Sequence, residues 1–479
     1  MIMAKHTTGK KKTESVEETL CSFNGFLCDI VISVYMCAVL VVLPLYNKGY
    51  AQIGTEKENF FRKTMTYGGK ALLPVFVLWA AFRLITAIRA KELPGIRKLP
   101  GRLWRNLSST DKFAALYGIA VLLSYLFTNY REEALWGTAS WRMGMWTQLG
   151  AVIVYFMISR MWQWKSWIPA LVLPVSAVVF SLGYVNKFCL FPIDPQFVNT
   201  SFISTIGNIN WYCGYLVTIL FGGVYLLWRM EEKMTWKKLL LMAYVTIGFA
   251  SLATQGSSSG IVTFAVVMFV LFGMSVRDSG RMEVFWQEMT MFSGACLLTF
   301  ILRKGNVFSQ ELVLEGMTDL LTFSMVTILM TILSGTILCL IHRARLKRSY
   351  PEKLLHRIYC GIAIAVPVMI LLVLLLTLIN TLAGGALTPN ITDPNVTKWL
   401  TVLVDIGVLG IISYAGMMIT AIRDFLRAGE NKMLVGACGI CVLAYTVNNM
   451  FSFQQVMNIS TVFVIMGIGE NLLNLLKQD

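Results

Sequence analysis

The chain has 479 residues, of which 56% are hydrophobic and 14% are charged, and its mean hydropathy is +0.65. A soluble protein of this size does not have such a composition, which is typical of a polytopic membrane protein. The net charge of +15 would suggest nucleic acid binding in a soluble protein. Here the basic residues cluster in short loops between apolar runs, as the positive-inside rule requires of cytoplasmic loops, so we expect no nucleic acid partner.

Apolar windows of about twenty residues, the length that crosses a bilayer, recur along the chain. They predict an all-α, polytopic integral membrane protein with about fourteen transmembrane helices and with both termini in the cytoplasm. Residues 1–24 form a polar, basic tail, and residues 25–476 form a single transmembrane domain. The predicted helices are 25–45, 69–90, 112–129, 143–160, 166–185, 206–228, 239–253, 261–276, 284–302, 320–341, 359–380, 399–421, 433–448 and 456–476.

The first external segment with candidate chemistry is residues 129–146, which carries Arg131 and Arg142. Positive charge is disfavoured on the outer side, and a guanidinium fork matches phosphate oxygens. Both arginines are therefore candidates for binding a lipid-linked pyrophosphate. The structural alternatives are an ion pair with Glu132 or Glu133, or an interaction with lipid headgroups.

The second segment, FISTIGNINWYCGYL over residues 202–216, places Asn208 and Asn210 at the start of a predicted helix. An unpaired amide in an apolar medium costs roughly 2 to 7 kcal/mol. These side chains must therefore contact other helices, backbone groups or a polar substrate.

The third segment, ATQGSSSGIVTF over residues 253–264, places Ser257, Ser258 and Ser259 at the same predicted surface. Small residues let helices approach closely, and hydroxyls bind either neighbouring helices or sugar hydroxyls. Helix packing and substrate contact both explain the second and third segments.

Three further ionisable residues lie near the predicted outer surface. Asp405 falls about two turns into a predicted helix, where a carboxylate is costly, so it is either a buried structural partner or part of a substrate or proton path. Arg303 and Lys304 end another helix on the outside, as interfacial anchors or as contacts to an anionic substrate.

Several classes of chemistry have no support in the sequence. The three histidines, His6, His342 and His356, all map to the predicted cytoplasmic side. No HExxH, P-loop or GxSxG motif is present, and most of the ten cysteines lie in or beside apolar runs. We therefore expect neither a metal nor a cofactor.

Taken together, four segments resemble motifs of the O-antigen ligase and O-antigen polymerase family. They are WGTASWRMGMW, FISTIGNINWYCGYL, TQGSSSG and KWLTVLVDIGVLGIISYAG, in that order along the chain. The resemblance implies metal-independent transfer of a glycan from undecaprenyl diphosphate to a glycan or lipid acceptor at a bacterial plasma membrane. Arg142, Arg131 and Arg303 would hold the diphosphate, while Asn208, Asn210, Ser257, Ser258, Ser259, Lys304 and Asp405 would line the substrate site.

The sequence also departs from that family. Its large external loop is reduced to residues 381–398, which lack the family's catalytic histidine and arginine, and the arginine of a TQSRG-like motif is replaced by Ser258 or Ser259. A relative that binds lipid-linked glycan without transferring it is therefore an alternative, and a flippase or transporter is another. The few ionisable residues noted within the spans, Arg83, Glu288 and Asp405, disfavour a transporter.

Overall fold

The computed structural model describes residues 16–89, 104–137, 142–197, 199–230, 234–305, 316–323, 325–382, 394–452 and 454–477. Within these ranges nearly all residues are helical, and the regular strands are two residues long. Twelve of the described helices are long and apolar enough to cross a membrane. The predicted all-α, polytopic architecture is confirmed.

Within its described residues, the first half of the chain contains seven α-helices and one small hairpin, besides short helical turns. Helix α1 continues through a π-helical turn, Ala38–Val42, to Leu45. The elements are α1 Val16–Cys37, α2 Ile53–Arg89, α3 Ser109–Phe127, α4 Arg131–Trp136, α5 Met145–Met161, α6 Trp167–Lys187, β1 Phe202–Ile203, β2 Gly207–Asn208 and α7 Ile209–Trp228.

The described ranges of the second half consist of helices joined by short turns. Helix α14 is broken at Gly407, whose φ of 70° and ψ of −177° are not helical. The helices are α8 Trp236–Thr254, α9 Ser258–Ser275, α10 Ser279–Lys304, α11 Gly316–Phe323, α12 Met325–Leu346, α13 Glu352–Leu382, α14 Pro394–Gly429, α15 Met433–Phe451 and α16 Val456–Leu476.

Every predicted window overlaps helical residues, but some helices begin earlier than expected. Helix α1 begins at Val16, inside the predicted tail, and α2 begins at Ile53 instead of residue 69. The predicted helix boundaries place the polar stretch 46–68 in an external loop. From Ile53 onward this stretch forms a helix because Lys57 and Glu58 find partners within the protein, which removes the cost of placing charges beside lipid.

Helix α7 is the central element of the bundle. It packs against α6, α8, α9, α10, α15 and α16, and nearly all of its residues are buried. Glycines allow this close packing: a Cβ atom at Gly222 would lie 2.6 Å from Cys441 Sγ, and one at Gly223 would lie 2.3 Å from the Tyr244 ring. Association of helices in lipid depends on such close approach, because water exclusion contributes little there.

The hairpin of β1 and β2 lies at the N-terminal end of α7, and we call that end of the bundle the hairpin face. The opposite face is held by ion pairs between loops and helix ends. Glu430 accepts hydrogen bonds from Arg281 at 2.9 and 3.0 Å, and Arg229 pairs with the same carboxylate at 3.4 Å. The bonds from Arg281 keep the pKa of Glu430 below its usual value. These pairs connect α10, the end of α7 and the α14–α15 turn.

We predict that Gly436→Ala destabilises the bundle by about 1–3 kcal/mol, because overpacking a buried contact has that cost. A Cβ atom at Gly436 on α15 would lie 2.2 Å from the hydroxyl oxygen of Tyr225, a fully buried residue of α7. Thermal unfolding in detergent should show a lower midpoint. Gly294→Ala is the control, since no atom lies within 4 Å of its Cβ position. Equal midpoints for the two variants would contradict the prediction.

Candidate functional site

The hairpin at the start of α7 is anchored by a buried amide. Ser204, at the turn, has a φ of 58° and donates its backbone N–H to Asn186 Oδ1 at 2.6 Å. The Ser204 hydroxyl donates to the carbonyl of Val179 at 2.6 Å. Gly207 has a φ of 104°, a conformation that favours glycine. The turn is therefore fixed to the end of α6 before α7 begins.

Asn186 also connects the hairpin to the loop between α1 and α2. Its Oδ1 accepts from the Tyr50 hydroxyl at 3.2 Å, and its Nδ2 donates to the carbonyl of Leu190 at 2.7 Å. Burial raises the pKa of Tyr50 to about 12, so its hydroxyl stays a neutral donor. Both polar ends of the Asn186 amide are satisfied, as a fully buried amide requires.

The two asparagines singled out by the sequence have a local structural role. Asn208 is the N-cap of α7, and its Oδ1 accepts from the backbone N–H of Asn210 at 2.9 Å. Both residues are half-buried. A backbone contact therefore explains the position of Asn208. The side chain of Asn210, in the first turn of α7, is half-buried.

A cluster of hydroxyl and amide groups joins α7, α9 and α15 at the hairpin face. Ser259 Oγ lies 2.8 Å from Ser257 Oγ and accepts from Asn448 Nδ2 at 2.9 Å. Asn448 Nδ2 also lies 3.5 Å from Cys213 Sγ. Ser257 and Ser259 thus point into the bundle, whereas Ser258 is exposed. We call Cys213, Ser257, Ser259, Asn448 and Asn458 the amide–hydroxyl cluster.

Asn458, at the start of α16, brings unused hydrogen-bonding capacity to this cluster. Its Nδ2 donates to the Trp211 carbonyl at 3.4 Å, but its Oδ1 has no partner among the described residues. The neighbouring Gln455 Oε1 is likewise buried without a partner in the described part of the chain. Buried polar atoms without partners are costly, so they indicate a place where a polar ligand would be stabilised.

Lys187 adds a positive charge beside the same cluster. Its side chain is only 6% exposed, and its ammonium donates to the carbonyl of Thr200 at 3.1 Å. It lies next to the Gln255–Ser257 turn, since a Cβ atom at Gly256 would be 3.3 Å from Lys187 Nζ. No carboxylate forms an ion pair with Lys187 within the described ranges. The sequence reasoning missed this residue, although a lysine ending an apolar span on the predicted outer side was a usable signal.

The buried Lys57 was also missed, but its position is structural. Its ammonium donates to the carbonyl oxygens of Leu43 and of Pro44, the latter at 3.1 Å, at the C-terminal end of the α1 segment. The negative end of a helix dipole favours a cation there. Thr205 donates to the same Pro44 carbonyl at 2.6 Å, so Lys57 and the hairpin share one anchor.

The three candidate arginines do not share a partner. Arg142 forms an ion pair with Glu58 of α2, not with Glu132 or Glu133. Arg303 pairs with Asp319 of α11 at 2.9 Å. Arg131 is exposed and makes no ion pair within the part of the chain that the structure describes. Convergence of the arginines on a single external cavity is therefore not seen.

The remaining candidates are Lys304, Asp405 and the predicted external loop 381–398, and the structure describes the last two only in part. Lys304 is exposed at the C-terminal end of α10. Asp405 lies two residues before the break at Gly407 and not within an unbroken helix, and its side chain is outside the described part. Of the short external loop 381–398, residues 383–393 are outside it as well, while residues 394–398 are helical.

Comparison with known proteins found no matching family model, no matching curated protein and no matching solved structure. Any assignment of function to this chain therefore rests on its residues and their geometry.

We predict that Asn448→Ala destabilises the protein by about 0.5–1.5 kcal/mol, the usual range for a hydrogen bond between membrane helices. The substitution removes the amide that joins α15 to Ser259 and Cys213. Thr446→Val is the matched control on the same helix, because the Thr446 hydroxyl donates to the Val442 carbonyl of its own helix and to no other helix among the described residues. Thermal unfolding in detergent measures both, and an unchanged midpoint for Asn448→Ala would count against the cluster as a connection between helices.

Proposed function

We propose that this protein is an O-antigen ligase-like membrane glycosyltransferase of a bacterial plasma membrane. It acts on an undecaprenyl-diphosphate-linked glycan in cell-surface polysaccharide assembly and transfers the glycan to a glycan or lipid acceptor. The observation that supports the proposal is Lys187: a buried ammonium without a carboxylate partner in the described ranges, beside the amide–hydroxyl cluster.

The chemistry of the site fits the two polar parts of such a substrate. An ammonium with low exposure interacts strongly with phosphate oxygens, because little water screens the charges. The unpartnered Asn458 and Gln455 carbonyl oxygens would accept hydrogen bonds from sugar hydroxyls. Transfer of a glycan from a diphosphate requires stabilisation of the charge that develops on the leaving group, and a cation supplies it.

The apolar part of the substrate also has a candidate place. A cleft of almost wholly apolar side chains lies beside α7, lined by Ile219 and Leu226 of α7, Leu434 of α15 and Ile468 of α16. These residues lie farther from the hairpin face than the amide–hydroxyl cluster does. A polyprenyl chain whose diphosphate is at Lys187 would extend along the bundle in this direction.

Arg142 and Arg131 would assist at the rim of the hairpin face. Arg142 would have to exchange Glu58 for a phosphate oxygen, since its guanidinium is already engaged by that carboxylate. Its side chain is 28% exposed, so an anionic substrate has access to it. Arg131 is exposed and needs no such exchange.

Binding of lipid-linked glycan without transfer is the second candidate. It is favoured by the neutralisation of Arg142 by Glu58 and of Arg303 by Asp319. It is also favoured by the position of His342, which pairs with Glu283 at the opposite face, where it cannot serve as a base for an acceptor hydroxyl at the hairpin face.

The test measures both binding and transfer in proteoliposomes that contain the purified protein and a radiolabelled undecaprenyl-diphosphate glycan. We expect transfer to added acceptor glycan or lipid, reduced at least tenfold by Lys187→Gln. Lys48→Gln is the control, because Lys48 is an exposed lysine of the same face that pairs with Glu56.

The outcomes separate the candidates. Lysine-dependent binding without product would support the second candidate. Movement of the labelled lipid across the bilayer without transfer would indicate a flippase, and the absence of binding would refute both proposals.

A further inference from the structure

Asp111 is a fully buried carboxylate at the opposite face, and its hydrogen-bonding capacity is well used. It belongs to a capping box at the start of α3, in which its Oδ2 accepts from the backbone N–H of Ser108 at 3.0 Å. The Tyr155 hydroxyl donates to its Oδ1 at 2.8 Å, and Arg160 of α5 forms an ion pair with its Oδ2. Three donors, one of them a cation, therefore engage the carboxylate of Asp111.

Glu470 of α16 lies beside Asp111 in a contrasting situation. It is also fully buried, and the group that can hydrogen-bond to its carboxylate is the neutral hydroxyl of Ser108. The titratable and charged groups that face it are Asp111, Tyr155, Arg160 and, on its own chain segment, Lys477. Arg160 is already engaged by Asp111, and Lys477 is exposed.

These surroundings determine whether the fold accommodates Glu470 as a neutral carboxylic acid or as a carboxylate. An ionised Glu470 would be a second negative charge next to Asp111, away from water and with only a neutral hydroxyl among the described residues to donate to it. A neutral carboxylic acid avoids both costs. It also brings an O–H donor to a region where the Asp111 oxygens are acceptors.

We propose that Glu470 is a reversible proton-binding site, with Asp111 as its ionised neighbour, and that its proton occupancy controls how closely α16 packs against α3 and α5. On release, the O–H bond of Glu470 breaks, its electron pair stays on the carboxylate, and the proton passes to water. Solvent reaches the edge of the site at Arg160, whose side chain is 34% exposed. The carboxylate that remains repels Asp111 and loosens this end of α16.

The same geometry disfavours a metal ion as the ligand. The guanidinium of Arg160 occupies one Asp111 oxygen and would repel a metal cation placed between the two carboxylates. Within the described residues, no group of three or more histidine, cysteine, aspartate or glutamate side chains is arranged to hold a metal. A proton needs only the single carboxyl of Glu470.

Infrared difference spectroscopy of the full-length protein in lipid vesicles tests the proposal directly, because a protonated carboxyl has its own carbonyl stretching band. Spectra are recorded between pH 6 and pH 9 and then returned to pH 6. We expect a carboxylic acid band that disappears reversibly as the pH rises and that is missing in Glu470→Gln, which preserves the size of the side chain.

Glu288→Gln is the control, since Glu288 is another fully buried glutamate, and its own carboxylate has no hydrogen-bond partner among the described residues. It should leave the band of Glu470 unchanged. A pH-dependent band that persists in Glu470→Gln, or a wild-type spectrum that does not change between these pH values, would overturn the proposal. If Na⁺ removed the band at constant pH, the result would overturn the proposal and would indicate that Glu470 binds sodium instead of a proton.

Discussion

The enclosure of α7 by protein is the constraint on which the rest of this structure depends. Neighbouring helices bury α7 from Tyr212 onward, and the polar groups around its half-buried N-terminal end have limited access to water. The protein supplies those partners itself, through the Asn208 cap, the hairpin tied to Asn186 and the cluster around Ser259. Amides and hydroxyls are concentrated at the hairpin face because they supply these partners. The contacts that hold the start of α7 therefore also form the candidate site.

The apolar windows gave the helices their approximate places, because a bilayer sets the minimum length of a spanning segment. Helix ends were less predictable. Helix α2 extends back to Ile53 because charged residues in its first turns have tertiary partners, and hydropathy contains no information about partners. The serines at 257 and 259 and the asparagine at 208 could be found as polar residues at helix ends. Which of them face a ligand and which face a helix depends on packing.

Contacts between distant parts of the chain explain what sequence reasoning missed. The partner of Arg142 was sought among the adjacent Glu132 and Glu133, but it is Glu58, which is 84 residues away. Glu470 was not noted within its apolar span, although a single carboxylate there was visible in the sequence. Its proximity to Asp111 was not visible, because α3 and α16 are far apart in the sequence. Burial and pairing, which decide the chemistry of these groups, are properties of the folded bundle.

The hairpin face has a lower positive potential than its number of basic residues suggests, because several of them are paired or buried. Arg142 and Arg303 are matched by carboxylates, and Lys57 and Lys187 lie beneath the surface. Counting lysines and arginines along the chain therefore overstates the positive potential of this face. Long-range attraction of anions from solution would be weak here, and a negatively charged molecule would be recognised at short range, after lateral diffusion within the bilayer had delivered it.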